Sequence, residues 1–337
     1  MILLTTSDYF PKLGGLSTFT KNIEIVLKEL RLDYKVMHWN NYNEIQNIPE
    51  SELAQYSLII NIHPQFAWLS NSHQEKMINF IHGSEILMTS PNLLKRFYKK
   101  IFRYKYFEKL ALSYLNVFIS ESTFQKASTA GLAPDYSRDI ILHNCIETRD
   151  AQFVKKELKN KLVFSCIVRN VPHKNLTGSV KFCELVAFVT GKEVELIIPK
   201  NSHVTSSKIS LTELSGTSDE ERDEAYRSSH FNLLLSLDHS RQGFFEGFGL
   251  TVLEAARFGT PSIVMSNGGL PEAVHHGETG WVINDVDLET VKSIFSTEDI
   301  SYYQQMAINC YGHTIRDHSL NEYARLIKHL VEHRGAA

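Results

Sequence analysis

Two stretches of this chain carry charges spaced for work on a phosphate-bearing substrate. Arg169 and Lys174 lie five residues apart in RNVPHK, a proline-containing stretch after an apolar run at 161–168. Arg offers a planar fork of donors and Lys a compact ammonium, so the pair could neutralise a diphosphate. Glu246 and Glu254 lie eight apart in EGFGLTVLE, with a Gly-Phe-Gly turn between them and a helical pattern after it. Eight residues is a little over two helical turns, a spacing that can put both carboxylates on one side. The amides near Gly249 and Leu250 would open that helix, where free N–H groups suit an anion. Glu254 stands among Val252, Leu253 and Ala255, a setting in which a carboxylate needs a purpose.

Three weaker signals accompany these. Gly14-Gly15 precedes a helical pattern, and paired glycines let backbone amides approach a ligand. Gly268-Gly269 repeats the device after an apolar run at 261–265. His82, in IHGSE after a run at 77–81, could accept a hydrogen bond from a sugar hydroxyl or stabilise developing charge, although it is one of 15 histidines. No G-x-G-x-x-G occurs, which counts against a dinucleotide oxidoreductase.

The elements that must position these residues are legible as short apolar runs alternating with helical patterns. Strands are predicted at 2–6, 34–39, 57–62, 77–81, 116–120 and 139–143, then at 161–168, 194–199, 231–237 and 261–265. Buried strands alternating with helices imply parallel sheets covered on both faces. The polar stretch 147–160 carries no strand signal and is read as an interdomain linker. The expected division is an N-terminal domain over 1–150, a second over 160–315, and a C-terminal helix over 316–337 that crosses back to the first. Ligands in such sheets bind beyond the carboxyl ends of the strands, which is where all four charged or glycine-rich loops fall.

Bulk properties narrow the function class. The 337 residues suit two domains, and a net charge of −3 supplies no global field for nucleic acid. Four widely spaced cysteines without a C-x-x-C pair argue against a zinc site or disulfide framework. The N-terminus lacks the basic region of a signal peptide, and no apolar run is long enough to span a bilayer. A cytoplasmic protein is expected. One segment, LLKRFYKKIFRYKYFEKL (93–110), interleaves seven basic residues with six aromatics and carries a single acid, Glu108. As a helix it would place Leu94, Phe97, Tyr98, Ile101 and Phe102 on one side, a composition suited to an anionic membrane surface.

Taken together the motifs resemble those of a retaining glycosyltransferase of family 4, with the GT-B fold. Glu246 to Glu254 resembles that family's pair of glutamates separated by seven residues, and RNVPHK its diphosphate loop. SNGGLPEAV followed by HHGETGWVI resembles its donor loop and the strand beyond; IHGSE, ISES (119–122) and LHNCIE (142–147) resemble first-domain landmarks. The sequence departs from the pattern at Val168 and Cys145, where the family usually has Gly, and in a longer link, SLDHSRQGFF (236–245), before the first glutamate.

The resemblance implies two Rossmann-like domains with parallel sheets facing across a cleft. It implies transfer of a sugar from a nucleotide-diphosphate sugar to a hydroxyl of a glycan or lipid-linked acceptor, without cofactor or metal. By the same resemblance Arg169 and Lys174 would hold the diphosphate and Glu254 the ribose. Glu246 would face the reacting carbon, His82 would stand near the donor sugar, and the Gly14-Gly15 loop would close over phosphates or acceptor. A bacterial surface polysaccharide or lipopolysaccharide glycan is the expected product. The rival readings are a sugar-nucleotide epimerase or other GT-B enzyme, a pyridoxal-dependent phosphorylase, disfavoured by the short chain, and an inactive sugar-nucleotide-binding accessory subunit.

Overall fold

The computed structural model describes residues 1–9, 14–39, 44, 48–69, 72–216, 218–295 and 300–334. They form two compact units. The first comprises Met1–Ile146, His239–Phe248 and Leu320–Ala337; the second comprises Glu147–Asp238 and Gly249–Ser319.

The first unit is built on a parallel sheet of β1 (Ile2–Thr6), β2 (Tyr34–His38), β3 (Leu58–Asn61), β4 (Met77–Ile81), β5 (Leu115–Phe118) and β6 (Ile140–Ile141), in the order β2-β1-β3-β4-β5-β6. Strand alternation sends Ile2, Leu4, Leu58, Ile60, Ile78 and Phe80 to one face, against the helices Gly15–Glu29 and Asn321–Arg334. Leu3, Ile59, Met77 and Ile81 face the other way, with Tyr106, Phe107 and Leu110 of the helix Leu93–Leu112. Both faces are covered, which is why the strands read as unbroken apolar runs.

That second face also carries a buried polar row. Thr5 pairs in register with Asn61, Asn61 with Asn79, and Asn79 with Asn116, across four adjacent strands. Thr5 Oγ1 donates to Asn61 Oδ1 at 2.7 Å, Asn61 Nδ2 to Asn79 Oδ1 at 2.7 Å, and Asn79 Nδ2 to Asn116 Oδ1 at 2.9 Å. The row ends on the buried carboxylate of Asp139, which Arg138 pairs at 2.9 Å. A slip of one residue in any of these strands would bury several unpaired amides, so the row pins the register.

The second unit carries β7 (Lys161–Ser165), β8 (Glu193–Ile198), β9 (Ser210–Glu213), β10 (Phe231–Leu234), β11 (Ser262–Met265) and β12 (Gly280–Ile283), all parallel, in the order β12-β11-β10-β7-β8-β9. On one face Phe164 stacks with Phe231 at 5.4 Å between centroids, and Phe295 packs edge-on against both. In both sheets the chain starts in the middle, builds one edge, then returns to build the other. The reversal lies between β1 and β3 in the first sheet and between β7 and β10 in the second.

The expected domain limits differ from these units in two places, the stretches 147–160 and His239–Phe248, while the C-terminal helix crosses back to the first unit as expected. The stretch 147–160 is a packed strap of the second unit. Gln152 and Val154 amides donate to the carbonyls of Arg257 and Phe258, and the Phe153 ring fills the space beside Gly259. Lys156 is buried there against the Phe258 carbonyl and the Thr260 hydroxyl, and burial pushes its ammonium down to about 7. Its polar residues mask a segment whose backbone is paired. His239–Phe248 belongs to the first unit, where Lys126 Nζ donates to Ser240 Oγ at 2.9 Å and lies 4.8 Å from the Phe245 ring centroid. Leu320–Arg334 also packs there: Tyr323, Ile327 and Leu330 are buried in the face opposite the polar row, and Tyr323 Oη accepts from the Cys145 amide at 2.8 Å.

Candidate functional site

The reversal point of the second sheet brings two charged loops side by side. After β7, Val168 is buried and anchors the loop, while Arg169 stands exposed on it. Pro172–Lys174 forms a single turn, and Asn175, at φ 52°, caps the helix Leu176–Thr190 by accepting from the Gly178 amide at 3.1 Å. Lys174 therefore sits one residue before the cap of a 15-residue helix. A cation and the positive end of a helix converge there, an arrangement that favours an anion. The loop after β10 is tied to this one: the Leu237 amide donates to the His173 carbonyl at 2.7 Å.

The β10 loop continues to Gly249, whose φ of 97° favours glycine, and a Cβ there would come within 2.8 Å of the Leu234 and Leu270 side chains. Gly249 thus opens the short helix Leu250–Ala256 against the sheet. Glu254 lies on its second turn, half-buried, with Oε2 accepting from Tyr226 Oη at 3.2 Å. Burial pulls the Arg222 guanidinium down, but the charges of Glu254 and Asp219 outweigh it and hold it up. Sequence reading missed Arg222 and Tyr226. Their signal is a four-residue spacing, which puts both on one face of the helix Asp219–Ser228. The loop after β11 joins the same edge: Asn267 Nδ2 donates to the Ser236 carbonyl at 2.8 Å, ahead of Gly268 at φ 58°.

In the first unit the structure brings His82 beside the Glu246 segment. His82 follows β4, and its ring stands edge-on to Phe19 at 4.7 Å. The ring donates to the Ile62 carbonyl, which leaves Nε2 as an acceptor, buried and with no partner among the described residues. Glu85, buried, accepts from the His82 amide. Phe245 and Gly247 close on this turn. A Cβ at Gly83, φ 125°, would meet the Phe245 ring at 2.4 Å, and one at Gly247 would meet the His82 carbonyl at 2.1 Å. Glu246 is held between those two contacts.

At the Gly14-Gly15 loop the backbone makes a local cap. The Gly14 amide donates to Ser17 Oγ at 2.9 Å, and that hydroxyl returns a bond to the Gly14 carbonyl at 2.8 Å. The Gly14 amide is thus engaged in the local cap, and the backbone of Gly14 is extended. Gly15 is exposed at the start of the helix, and Lys12 and Leu13 of the same loop lie outside the described residues. An Asp285-Val286-Asp287 triplet after β12 could suggest a cation site, but both carboxylates accept local amides, from Val286 at 2.7 Å and Thr290 at 2.8 Å. Among the described residues no group of three or more His, Cys, Asp or Glu is arranged to hold a metal ion.

Burial with the neighbouring His63 pushes His82 down to about 3, and burial with the Lys99 charge pushes His63 down to about 4. The unfolded chain takes up protons at both as the pH falls through 6.5, whereas the folded chain does so only near these lower values. Stability is therefore expected to rise from about pH 4 to 6.5, by up to about 1.4 kcal/mol per pH unit for each ring, and then to level off. Glu85, raised by burial, opposes this with one carboxyl against two imidazoles. Urea midpoints across that window check it, with His82→Gln expected to flatten the slope. A flat wild-type profile would contradict two neutral rings held below their ordinary range.

Residues 148–294 match the family described as glycosyl transferases group 1. N-acetyl-alpha-D-glucosaminyl L-malate synthase from Bacillus anthracis is 28% identical over 171 residues, 49% of this chain and 38% of that protein, so the matched region spans well under half of that relative. Among solved structures, sucrose-phosphate synthase from Thermosynechococcus elongatus is similar with a TM-score of 0.74 and 13% identity, over 99% of both chains. Anabaena HepE in complex with UDP-glucose is similar with a TM-score of 0.68 and 14% identity, over 98% of this chain and 99% of that one. The chain thus has the two-domain Rossmann-like GT-B fold, and its segment 148–294 is similar to the glycosyl transferases of group 1.

Proposed function

We propose that this protein is a retaining glycosyltransferase that moves a sugar from a nucleotide-diphosphate sugar to a hydroxyl of a glycan or lipid-linked acceptor in the cytoplasm. A bacterial surface polysaccharide or lipopolysaccharide is the product class that the resemblance favours. The observation that carries the reading is the tie between the loops after β7 and β10, in which the Leu237 amide donates to the carbonyl of His173, inside the Arg169 to Lys174 turn, at the sheet's reversal point. Matches to glycosyl transferases of group 1 and to a UDP-glucose complex support the donor class.

In this reading the bond from the anomeric carbon to the diphosphate breaks with both electrons leaving on phosphate oxygen. Arg169, Lys174 and the amides at Gly249 and Leu250 meet the charge that develops there, which is the main lever on the barrier. The acceptor oxygen bonds to the same face of the carbon, and its proton passes to the departing phosphate. Glu246 stabilises the electron-poor carbon. His82, neutral and with Nε2 as an acceptor, takes a hydrogen bond from a hydroxyl of the donor sugar. Glu254 takes the ribose hydroxyls, with Tyr226 orienting its carboxylate. Positive charge from side chains and amides does the work that a metal would otherwise do.

Calorimetry on the full chain tests the assignments, starting from UDP-, GDP- and ADP-sugars because the base is open. The matching nucleotide at 100 times its Kd should stabilise the protein by about 2.7 kcal/mol. Glu254→Gln is expected to weaken nucleotide affinity about tenfold, from loss of a charged acceptor. Glu246→Gln is expected to lower turnover while leaving that affinity nearly intact. The opposite split would exchange their roles, and binding of a sugar nucleotide with no turnover on any acceptor would favour the accessory-subunit reading.

A further inference from the structure

The helix Leu93–Leu112 is packed only at its far end. Tyr106, Phe107 and Leu110 enter the first unit's core, while every residue from Leu93 to Lys105 except Lys99 is exposed. Large apolar side chains account for much of that surface: Leu93 is 78% exposed, Leu94 72%, Phe97 62% and Tyr104 78%, with Tyr98 and Ile101 also more than half exposed. The sequence alone left open whether these aromatics line a core. Tyr106 and Phe107 do; Phe97, Tyr98 and Tyr104 do not.

Their angular placement is not that of a core helix. At about 100° per residue, Leu93, Phe97, Ile101 and Tyr104 share one arc, and Leu94 and Tyr98 extend it. Of the three packed residues, Tyr106 and Leu110 lie on roughly the opposite side, and Phe107 lies on the flank between Arg96 and Lys100. Arg96, Lys100 and Arg103 edge the apolar arc on one flank and Lys95 on the other, with Lys105 inside it. No acid occurs between Glu85 and Glu108, although the whole chain is net negative. Lys99 is tied back, donating to the Thr89 carbonyl at 3.0 Å.

We propose that this half-helix docks flat on an anionic lipid bilayer, with the apolar arc in the headgroup boundary and the flanking cations on lipid phosphates. Charge complementarity selects this occupant. A second copy would bring two clusters of like charge together, and aliphatic tips such as Leu93, Leu94 and Ile101 offer no ring to stack on nucleic-acid bases. A bilayer accepts both components at once. No helix among the described residues is long and apolar enough to cross a membrane, so the contact is peripheral. The docking stands independently of the reaction assigned to the loops, and it would bring a lipid-linked acceptor within reach of the enzyme.

Flotation of the full chain with phosphatidylcholine vesicles, with and without phosphatidylglycerol, tests the proposal. Binding is expected to need phosphatidylglycerol and to fall as salt screens the charges. A Lys95→Ser, Lys100→Ser, Arg103→Ser variant should lose about 100-fold in partition coefficient. A Phe97→Ser, Ile101→Ser variant should lose more than about tenfold and bind only through salt-sensitive contacts. Both variants should unfold at the wild-type temperature, because the replaced side chains are exposed. Equal recovery of the wild type in the supernatant with neutral and anionic vesicles at low salt would overturn the proposal. So would light scattering that shows self-association abolished by Phe97→Ser, or oligonucleotide binding by a protein that leaves vesicles alone.

Discussion

Arg169→Ala and Lys174→Ala should each lower turnover with the matching sugar nucleotide by about 30- to 1,000-fold, which corresponds to about 2–4 kcal/mol of lost transition-state stabilisation. The two residues serve different geometries. Arg169 is exposed on its loop, so its guanidinium gives up water only when a ligand arrives, and its loss should appear in substrate affinity as well as turnover. Lys174 is half-buried, one residue before the cap of the helix Leu176–Thr190, in a place already polarised for an anion. Its loss should fall mainly on turnover, where phosphate charge grows. Lys174→Arg should recover little, because the turn Pro172–Lys174 and the capped helix hold the ammonium at a fixed depth. Steady-state kinetics with one donor and acceptor, on variants whose unfolding is unchanged, decide the matter. Turnover within a few-fold of wild type in both variants would remove the diphosphate assignment.

The second large effect is on stability. Asn79→Leu should destabilise the first unit by about 2–5 kcal/mol, a large share of what a domain of this size holds. Asn79 is fully buried, and its replacement strands Asn61 Nδ2 on one side and Asn116 Oδ1 on the other. Each stranded polar group costs about 1–3 kcal/mol, more than the added apolar burial returns at a site shaped for an amide. Urea unfolding followed by fluorescence is the measurement, with a lower midpoint at an unchanged slope as the expected form. If the two units unfold in separate transitions, only one should move. A midpoint shift worth less than about 1 kcal/mol would show that the row is dispensable and that the apolar faces alone set the register.

The strand elements of both sheets were legible because burial on two faces leaves unbroken apolar runs, from Ile2–Thr6 through Ser262–Met265. Two strands were not. β9 reads Ser-Leu-Thr-Glu and is mostly exposed at the sheet edge, so neither run nor alternation marks it. β12, Gly280–Ile283, was visible only through the family resemblance, since it opens on a glycine and leaves an apolar run of only three residues.

Residue types and spacing along the chain determined the alternation of strand and helix, the two-sheet plan, and the candidate charges Arg169, Lys174, Glu246 and Glu254, because local periodicity and loop position are written in consecutive residues. What consecutive residues cannot hold is pairing at a distance. Only the tertiary structure decided that Tyr226 and Arg222 attend Glu254, that Gly247 closes on the His82 carbonyl, and that Ser17 accepts from the Gly14 amide. It also decided which aromatics of the helix Leu93–Leu112 are core. Tyr106 and Phe107 find the first sheet to pack on while Phe97 and Tyr104 do not, and a helical wheel, which knows angles but not neighbours, cannot separate the two sets.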